Sequence, residues 1–565
     1  MSTAESKTVA RGTLLSIGLR LLSFVLSQLT VRFVSAGVLG QASIPLELLL
    51  STALFVGREG FRLALTKAEV RNGDPRDARI TNVSWLTVPV GALLAVVAAF
   101  VHLHQCGQNE DTTLDYKLAG MLYCLAAFVE SLAEPLVIQC LQQLDVATKA
   151  KAEGSALVMK SVSCFACLRI TQSSWFRSVP MFSRVQEKTS FAVTSFGVSQ
   201  LAYSIVLSGI MYREVWTRGI YWPCDVARTH NNHPYRTKLF QNFDVQTLRL
   251  VLIFTLQGLF KHALTEGDKI VLSALAGSYD QGVYALAASY GGLAARLLLQ
   301  PMEENARLLF SHKRASVVRE MKNVDDEGKD PSTSLRNLED SYCFLVRCAT
   351  YIGLVFAGIA TNYTPILLRI LAGHRWGASP EASEALSAFC VYTAFLALNG
   401  MTEAFVYGVS TSGKDVTQLG IAHAVVGGMF AVVAPGLVAE RGAVGLVAAN
   451  CVSMACRSLY SIHFATRFFF AKETRSERRS NFELISKLLP RTAILLAFAL
   501  SYALTNVARV RIYEEGIVSG KNVVVVCIYH IGVGILCLIL CSVSIFMLDR
   551  EVKDSLVSAA KRKQE

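Results

Sequence analysis

The sequence predicts an all-α protein that crosses a membrane about fourteen times, and three observations carry that prediction. Of its 565 residues only 17% are charged and 52% are hydrophobic, with a mean hydropathy of +0.40. A soluble chain of this length carries roughly 25% charged residues. Apolar runs of the roughly 20 residues that cross a hydrocarbon core recur along the chain, and residues 189–212, 416–439 and 523–548 contain no Asp, Glu, Lys or Arg. The net charge of +12 sits in short segments between these runs, not on one face of a soluble domain, which argues against a nucleic-acid partner.

The spans follow in order. The first two, at about 12–35 and 39–62, come after MSTAESKTVARG, and the first run is long enough to span, unlike a cleavable signal peptide. Spans three (82–103) and four (118–142) flank the polar HLHQCGQNEDTTLDY. Span five (153–171) is the shortest, and span six (190–212) is uncharged. The hydrophilic stretch that follows contains RTHNNHPYRTK and reads as a cytosolic linker over 216–246. Spans seven (247–274) and eight (281–301) are separated by AGSYDQG. Span nine (341–371) is long and expected to break near Pro365, because proline cannot donate to the helical ladder. Spans ten to fourteen lie at 384–408, 416–439, 442–466, 488–508 and 523–548. This divides the chain into a lobe at 1–215, a second lobe at 247–468, a basic loop at 469–487, a helix pair at 488–548 and a tail at 549–565, the organisation of a transporter with repeated halves.

Orientation follows from the loop lysines and arginines. The loop after span two holds Lys67, Arg71, Arg76 and Arg79, with Arg58 and Arg62 just before it. The segments after spans eight and twelve are similarly basic, with Lys313, Arg314 and Arg319 in one and Arg475, Arg478 and Arg479 in the other. The loops after spans three and seven have no Lys or Arg, while those after spans five and thirteen depart from the alternation with three basic residues each. Both termini are therefore expected in the cytosol. There, Lys561 and Lys563 of the final KRKQE resemble a coat-protein retrieval signal of the endoplasmic reticulum, a solvated basic tail being the plainer alternative.

Two motifs carry little chemistry. Cys164 and Cys167 have no second pair of zinc ligands nearby and read as packing thiols. Gly408 to Asp415 matches a phosphate-binding loop until its last position, where an acid replaces the hydroxyl that would hold magnesium. It reads as a short turn, and no nucleotide, metal or cofactor is expected. Charges inside the spans are more informative, since at bilayer depth they face a cavity or a partner. Arg20 and Arg32 lie on span one; Arg58, Glu59 and Arg62 close span two; Arg58 and Arg62 share a face. Two guanidiniums so placed can grip a diphosphate or snorkel to the interface. Glu130 and Glu134 repeat the spacing on span four and need cations or protons. Lys261, His262, Glu266, Asp268 and Lys269 crowd span seven, Arg296 lies on span eight, and Asn399, Glu403, Asn450 and Arg457 lie on spans ten and twelve. So many ionisable groups favour a wet central cavity over internal ion pairing alone.

Several blocks resemble the recurring segments of the Rft family: FVGREGFRLAL (55–65), LAEPLVIQCLQ (132–142), ALNGMTEAFVYG (397–408), GLVAANCVSMACRSL (445–459) and, most specifically, ALTEGDKIVLSALAGSYDQGVYALAASYGGLAARLLLQPMEENARLLF (263–310). The resemblance implies the fold of the multidrug, oligosaccharidyl-lipid and polysaccharide exporter superfamily, with two six-helix lobes around a central cavity and two further C-terminal helices. It also implies a non-enzymatic role in N-linked glycosylation at the endoplasmic-reticulum membrane. The implied partners are membrane lipids and a dolichol-diphosphate-linked heptasaccharide, which would move from the cytosolic to the lumenal leaflet. It carries over no functional residue. The candidates are therefore Arg20, Arg32, Arg58, Arg62 and Arg296 for the diphosphate, and Glu59, Glu266, Lys269, Glu403 and Arg457 for cavity polarity or gating. An accessory protein of the same pathway and a cation-coupled drug exporter are the alternatives; a retrieval signal would argue against the exporter.

Overall fold

A computed structural model describes residues 22, 24–72, 78–108, 113–143, 145–173, 191–217, 219, 222, 243–322, 332–410, 413–470, 481–520 and 522–554. Among these residues there is no β-strand, and twelve helices are long and apolar enough to cross a membrane. The difference from fourteen has two sources. Span one falls largely outside the described residues, and spans eleven and twelve run together as one 58-residue helical stretch, Gly413–Phe470. A straight helix of that length would measure about 87 Å, nearly three hydrocarbon cores. Gly442 breaks it with φ +53° and ψ −129°, a conformation that suits glycine. A Cβ on Gly445 would sit 1.8 Å from the Leu437 carbonyl oxygen, so the chain reverses there and makes two spans.

The helices that position the rest are α1 (Ala36–Ser43), α2 (Pro45–Asn72), α3 (Ala78–Trp85), α4 (Thr87–Gln108), α5 (Leu114–Gln142), α6 (Val146–Gln172), α7 (Ala192–Trp216) and α8 (Val245–Thr265). After α9 (Gly267–Leu275) come α10 (Ser278–Ala294), a π-helical turn at Ala295–Leu299, α11 (Gln300–Lys322), α12 (Ser332–Gly358), α13 (Thr364–Leu371), α14 (Pro380–Val409), the paired α15 (Gly413–Phe470), α16 (Asn481–Leu488), α17 (Thr492–Ala508) and α18 (Val523–Leu548). The fifth span is a full-length α6 of 27 residues, capped by Asp145, which accepts from the Thr148 amide at 3.2 Å. Span nine breaks at a 3₁₀ turn, Ala360–Tyr363, and Pro365 stands in the first turn of α13, where its missing N–H costs nothing.

The chain forms two compact units, residues 1–282 and 283–565. In the first, α8 packs along α2. Gly60 permits this, since a Cβ there would meet Thr255 Oγ1 at 2.1 Å, and Phe55 stacks on His262 at 4.5 Å. Asp115, 3% exposed, caps α7 from α5 by accepting from the amides of Val193 and Thr194 at 3.1 and 2.7 Å. In the second unit, Phe310, Tyr342, Phe405 and Phe469 make an aromatic centre, the Tyr342 and Phe405 rings 4.5 Å apart. The C-terminal pair α17 and α18 is tied to α12 where the Tyr351 hydroxyl donates to Asp549 at 2.7 Å. Outward faces are apolar, with Val96, Phe100, Val432 and Leu536 all at least two-thirds exposed, as lipid-facing surfaces require.

Both glycosylation sequons are buried. Asn82 is 5% exposed, and Asn362 is 2% exposed with its amide donating to Thr505 Oγ1 at 2.9 Å. Neither should carry a glycan. Endoglycosidase treatment of protein from microsomes is expected to leave its mobility unchanged, and a shift lost on Asn82→Gln or Asn362→Gln would contradict this. The described cysteines are free thiols, with Cys164 buried and Cys167 half-buried.

Candidate functional site

The first unit contains a cavity of about 290 Å³ bounded by α2, α5, α6 and α7. Each helix contributes one stripe at helical spacing. From α2 come Glu47, Ser51, Leu54, Arg58 and Arg62; from α5, Glu130, Glu134 and Val137. From α6 come Lys149, Glu153, Leu157 and Lys160, and from α7, Gln200, Tyr203, Leu207 and Met211. Leucine, valine and methionine line the cavity beside the charges.

The centre of the cavity is a two-rung ladder. Arg58 Nη1 lies 3.3 Å from Glu130 Oε2. One turn further, Arg62 holds Glu134 bidentately, Nη2 donating to Oε2 at 2.8 Å and Nε donating to Oε1. The arginines and the glutamates are each four residues apart, a rise of about 6 Å on either helix, so both rungs meet in register. Glu130 also accepts from Gln200 Nε2 at 3.2 Å and Ser204 Oγ at 3.3 Å. The carboxylates are 6% and 5% exposed, whereas Arg58 is 33% and Arg62 20% exposed, so the guanidiniums are the accessible side of each pair. Towards the rim, Lys160 Nζ lies 3.9 Å from Glu47 and Lys149 Nζ 3.7 Å from Glu153. Small residues set the helix spacing behind the ladder: a Cβ on Gly91 of α4 would fall 2.3 Å from Ser131 Cβ of α5.

Of the sequence candidates, the structure brings Arg58 and Arg62 together and supplies the positive partners that Glu130 and Glu134 needed. Glu59 is half-buried on another face of α2, and Arg32 is exposed; neither lines the cavity. Glu266 and Lys269 pair with each other at 2.7 Å where α8 meets α9. Arg296, in the second unit, is exposed and donates to the Gly292 carbonyl at 3.0 Å from the π-helical turn. Arg20, Lys561 and Lys563 lie outside the described residues. Glu403 belongs to a separate polar cluster, accepting from Asn399 Nδ2 at 2.9 Å with His423 Nε2 3.4 Å away. Glu303 and Arg307 pair at 2.9 Å, Arg307 lies 5.1 Å from the Tyr407 ring, and Arg457 is half-buried on α15.

Sequence reasoning missed Lys149, Glu153 and Lys160. Their signal is the stripe 149, 153, 157, 160, which a span beginning at residue 153 cuts short by leaving Lys149 outside, so Glu153 and Lys160 do not stand out as part of one charged face. Gln200 and Ser204, neutral in an uncharged span, left no signal. Chemically, the cavity offers guanidinium and ammonium groups to an anion, and carboxylates and amides to hydroxyl-rich groups, beside apolar side chains.

A family model described as Rft protein matches residues 9–559. Among curated relatives, the Man(5)GlcNAc(2)-PP-dolichol translocation protein RFT1 of Mus musculus is 28% identical, covering 94% of this chain and 92% of its own. The protein of that name from Yarrowia lipolytica is 28% identical, covering 89% and 76%, and that from Xenopus tropicalis 26%, covering 99% and 98%. Among solved structures, the lipid II flippase MurJ in an inward closed conformation superposes with a TM-score of 0.57 at 13% identity, covering 96% of this chain and 99% of that one. A multidrug resistance MATE family transporter of the MOP superfamily, inward-facing, superposes with a TM-score of 0.55 at 14% identity, covering 80% and 96%. At these identities the likeness establishes the fold alone: a polytopic all-α membrane fold, as expected from the sequence, shared with these two transporters.

Proposed function

The chain belongs to the Rft family, and on that premise we propose that it moves Man5GlcNAc2-PP-dolichol from the cytosolic to the lumenal leaflet of the endoplasmic-reticulum membrane for protein N-glycosylation. The observation that carries the proposal is the cavity of the first unit, where the accessible arginines Arg58 and Arg62 stand in a space walled by membrane-spanning helices. The diphosphate engages these arginines by charge-assisted hydrogen bonds. The sugars meet the flanking carboxylates, Gln200 and Tyr203, and the dolichol chain stays in lipid. A polar headgroup alone pays the cost of crossing hydrocarbon, so lining its path with paired charges lowers the barrier without any covalent step. The chain acts as a transporter and not as an enzyme, with no nucleotide partner, and transport is downhill or ion-coupled.

The same proposal includes two six-helix lobes flanking a cytosolic linker at 216–246, a C-terminal helix pair, and cytosolic termini with Lys561 and Lys563 as the retrieval signal. The loop-charge alternation supports this orientation. A C-terminal tag is expected to be cleaved by protease added to sealed microsomes; a protected tag would reject the topology and the retrieval signal together.

Reconstitution of the purified protein with labelled lipid-linked oligosaccharide tests the transport itself. Transbilayer movement should exceed that of protein-free vesicles. Equal rates, beside restored glycosylation in cells, would assign the protein an accessory role in the same pathway instead.

A further inference from the structure

The cavity is already electrically balanced before a ligand enters. Eight charged side chains line it among the described residues: Arg58, Arg62, Lys149 and Lys160 against Glu47, Glu130, Glu134 and Glu153. A diphosphate diester adds two negative charges. It also competes with Glu130 and Glu134 for the guanidiniums, since an arginine that turns its fork to a phosphate releases its carboxylate. Left ionised, the loaded site would hold two excess negative charges between apolar helix faces, where repulsion is poorly screened.

We propose that Glu130 and Glu134 are the counter-charge switch of this site: each carboxylate displaced from its arginine by the diphosphate takes up a proton from water, so that headgroup binding is coupled to proton uptake. The inference rests on the cavity being the diphosphate site. Two negative charges enter with the headgroup, two protons enter with them, and the site returns to balance; no bond other than the carboxyl O–H forms.

Burial selects these two acids over the other two. Glu47 and Glu153 are 39% and 40% exposed, so water can solvate their carboxylates when a partner turns away. Glu130 and Glu134, at 6% and 5%, are shielded from water and rely on the paired arginines for counter-charge, with Gln200 and Ser204 adding neutral donors at Glu130. Glu130 keeps Oε1 as acceptor for Gln200 and Ser204, which leaves Oε2, the atom facing Arg58, to carry the proton and donate it to a phosphate oxygen. The groups facing the pair from every side fit the assignment. α2 presents Glu47, Arg58 and Arg62, with Glu59 on another of its faces; α6 presents Lys149, Glu153 and Lys160. α7 presents only the neutral Gln200, Tyr203 and Ser204, and α4 only Thr87 and Gly91. α3 packs on α5 through Ile80 and Val83 and keeps Arg79 exposed.

Titration calorimetry on the full-length protein in nanodiscs tests this, with a short-chain polyprenyl-diphosphate chitobiose as probe and buffers of different ionisation enthalpy. About two protons should be taken up per headgroup bound, and affinity should rise about tenfold per pH unit of acidification for each proton. Glu130→Gln and Glu134→Gln should each lower the proton count by about one, and the double variant should bind with an affinity independent of pH. If the double variant does not fold, the single variants and the wild-type buffer series decide. Wild-type binding without proton uptake, or uptake replaced by a requirement for sodium or potassium over choline, would overturn the coupling while leaving the site intact. A wild type that does not bind the probe would overturn the site, and the coupling with it.

Discussion

Arg58→Lys should impair N-glycosylation nearly as much as Arg58→Ala while the protein still accumulates in the membrane. Arg58 forms the looser rung of the ladder, a single 3.3 Å contact to Glu130 with a third of its side chain exposed. Its planar fork can therefore turn to a phosphate and make two parallel hydrogen bonds. Lysine retains the charge and can replace the contact to Glu130, but as a point donor it cannot reproduce the fork. Losing one hydrogen bond between charged groups costs about 1.5–3 kcal/mol, roughly tenfold to a hundredfold in headgroup affinity. Occupancy of a carboxypeptidase reporter's glycosylation sites, at matched protein level, measures the effect. If Arg58 only anchors the helix at the interface by snorkelling, lysine should serve almost as well. Wild-type glycosylation with Arg58→Lys beside failure of Arg58→Ala would remove Arg58 from the site.

Arg62 and Glu134 should behave differently, because theirs is the tighter and more deeply buried pair, at 20% and 5% exposure. Removing either partner strands the other as an uncompensated charge among apolar helix faces. Arg62→Ala and Glu134→Ala should each destabilise the protein by about 3–5 kcal/mol. Replacing both, as Arg62→Met with Glu134→Leu, removes the desolvation penalty along with the attraction, and stability should return to within about 1 kcal/mol of wild type. Unfolding in detergent or nanodiscs measures the three variants. The doubly substituted protein should nonetheless fail to support glycosylation, since the bidentate arginine has gone. A double variant as unstable as the sum of the single ones would mean that the two side chains act independently.

Much of this architecture was legible because its signals are local. Hydropathy over about 20 residues marks a span wherever it lies, and thirteen of the expected spans coincide with helices among the described residues. The charged pairs were legible for the same reason, since a four-residue spacing puts Arg58 with Arg62, and Glu130 with Glu134, on one helix face without reference to anything else. Proline at 365 announced a break, although its role is to start the next helix. The reversal at Gly442 was expected as a boundary between two spans, and the positive φ explains why glycine occupies it.

The partner of each face was not legible. Arg58 and Glu130 are 72 residues apart, as are Arg62 and Glu134, and no periodicity within either helix states that they meet in register. That depends on how closely α8 approaches α2 and α4 approaches α5, through glycines at 60 and 91 whose value lies in the side chain they lack. Burial was hidden likewise. From sequence alone Glu47, Glu130, Glu134 and Glu153 are equivalent carboxylates, yet two are at the rim and two are enclosed. Helix formation and membrane insertion read the chain over one or two turns, so the residues themselves determine them. Which charges neutralise one another, and which are left for a ligand, is decided only when helices distant in sequence pack together, because the energy of a charge in a membrane depends on what surrounds it.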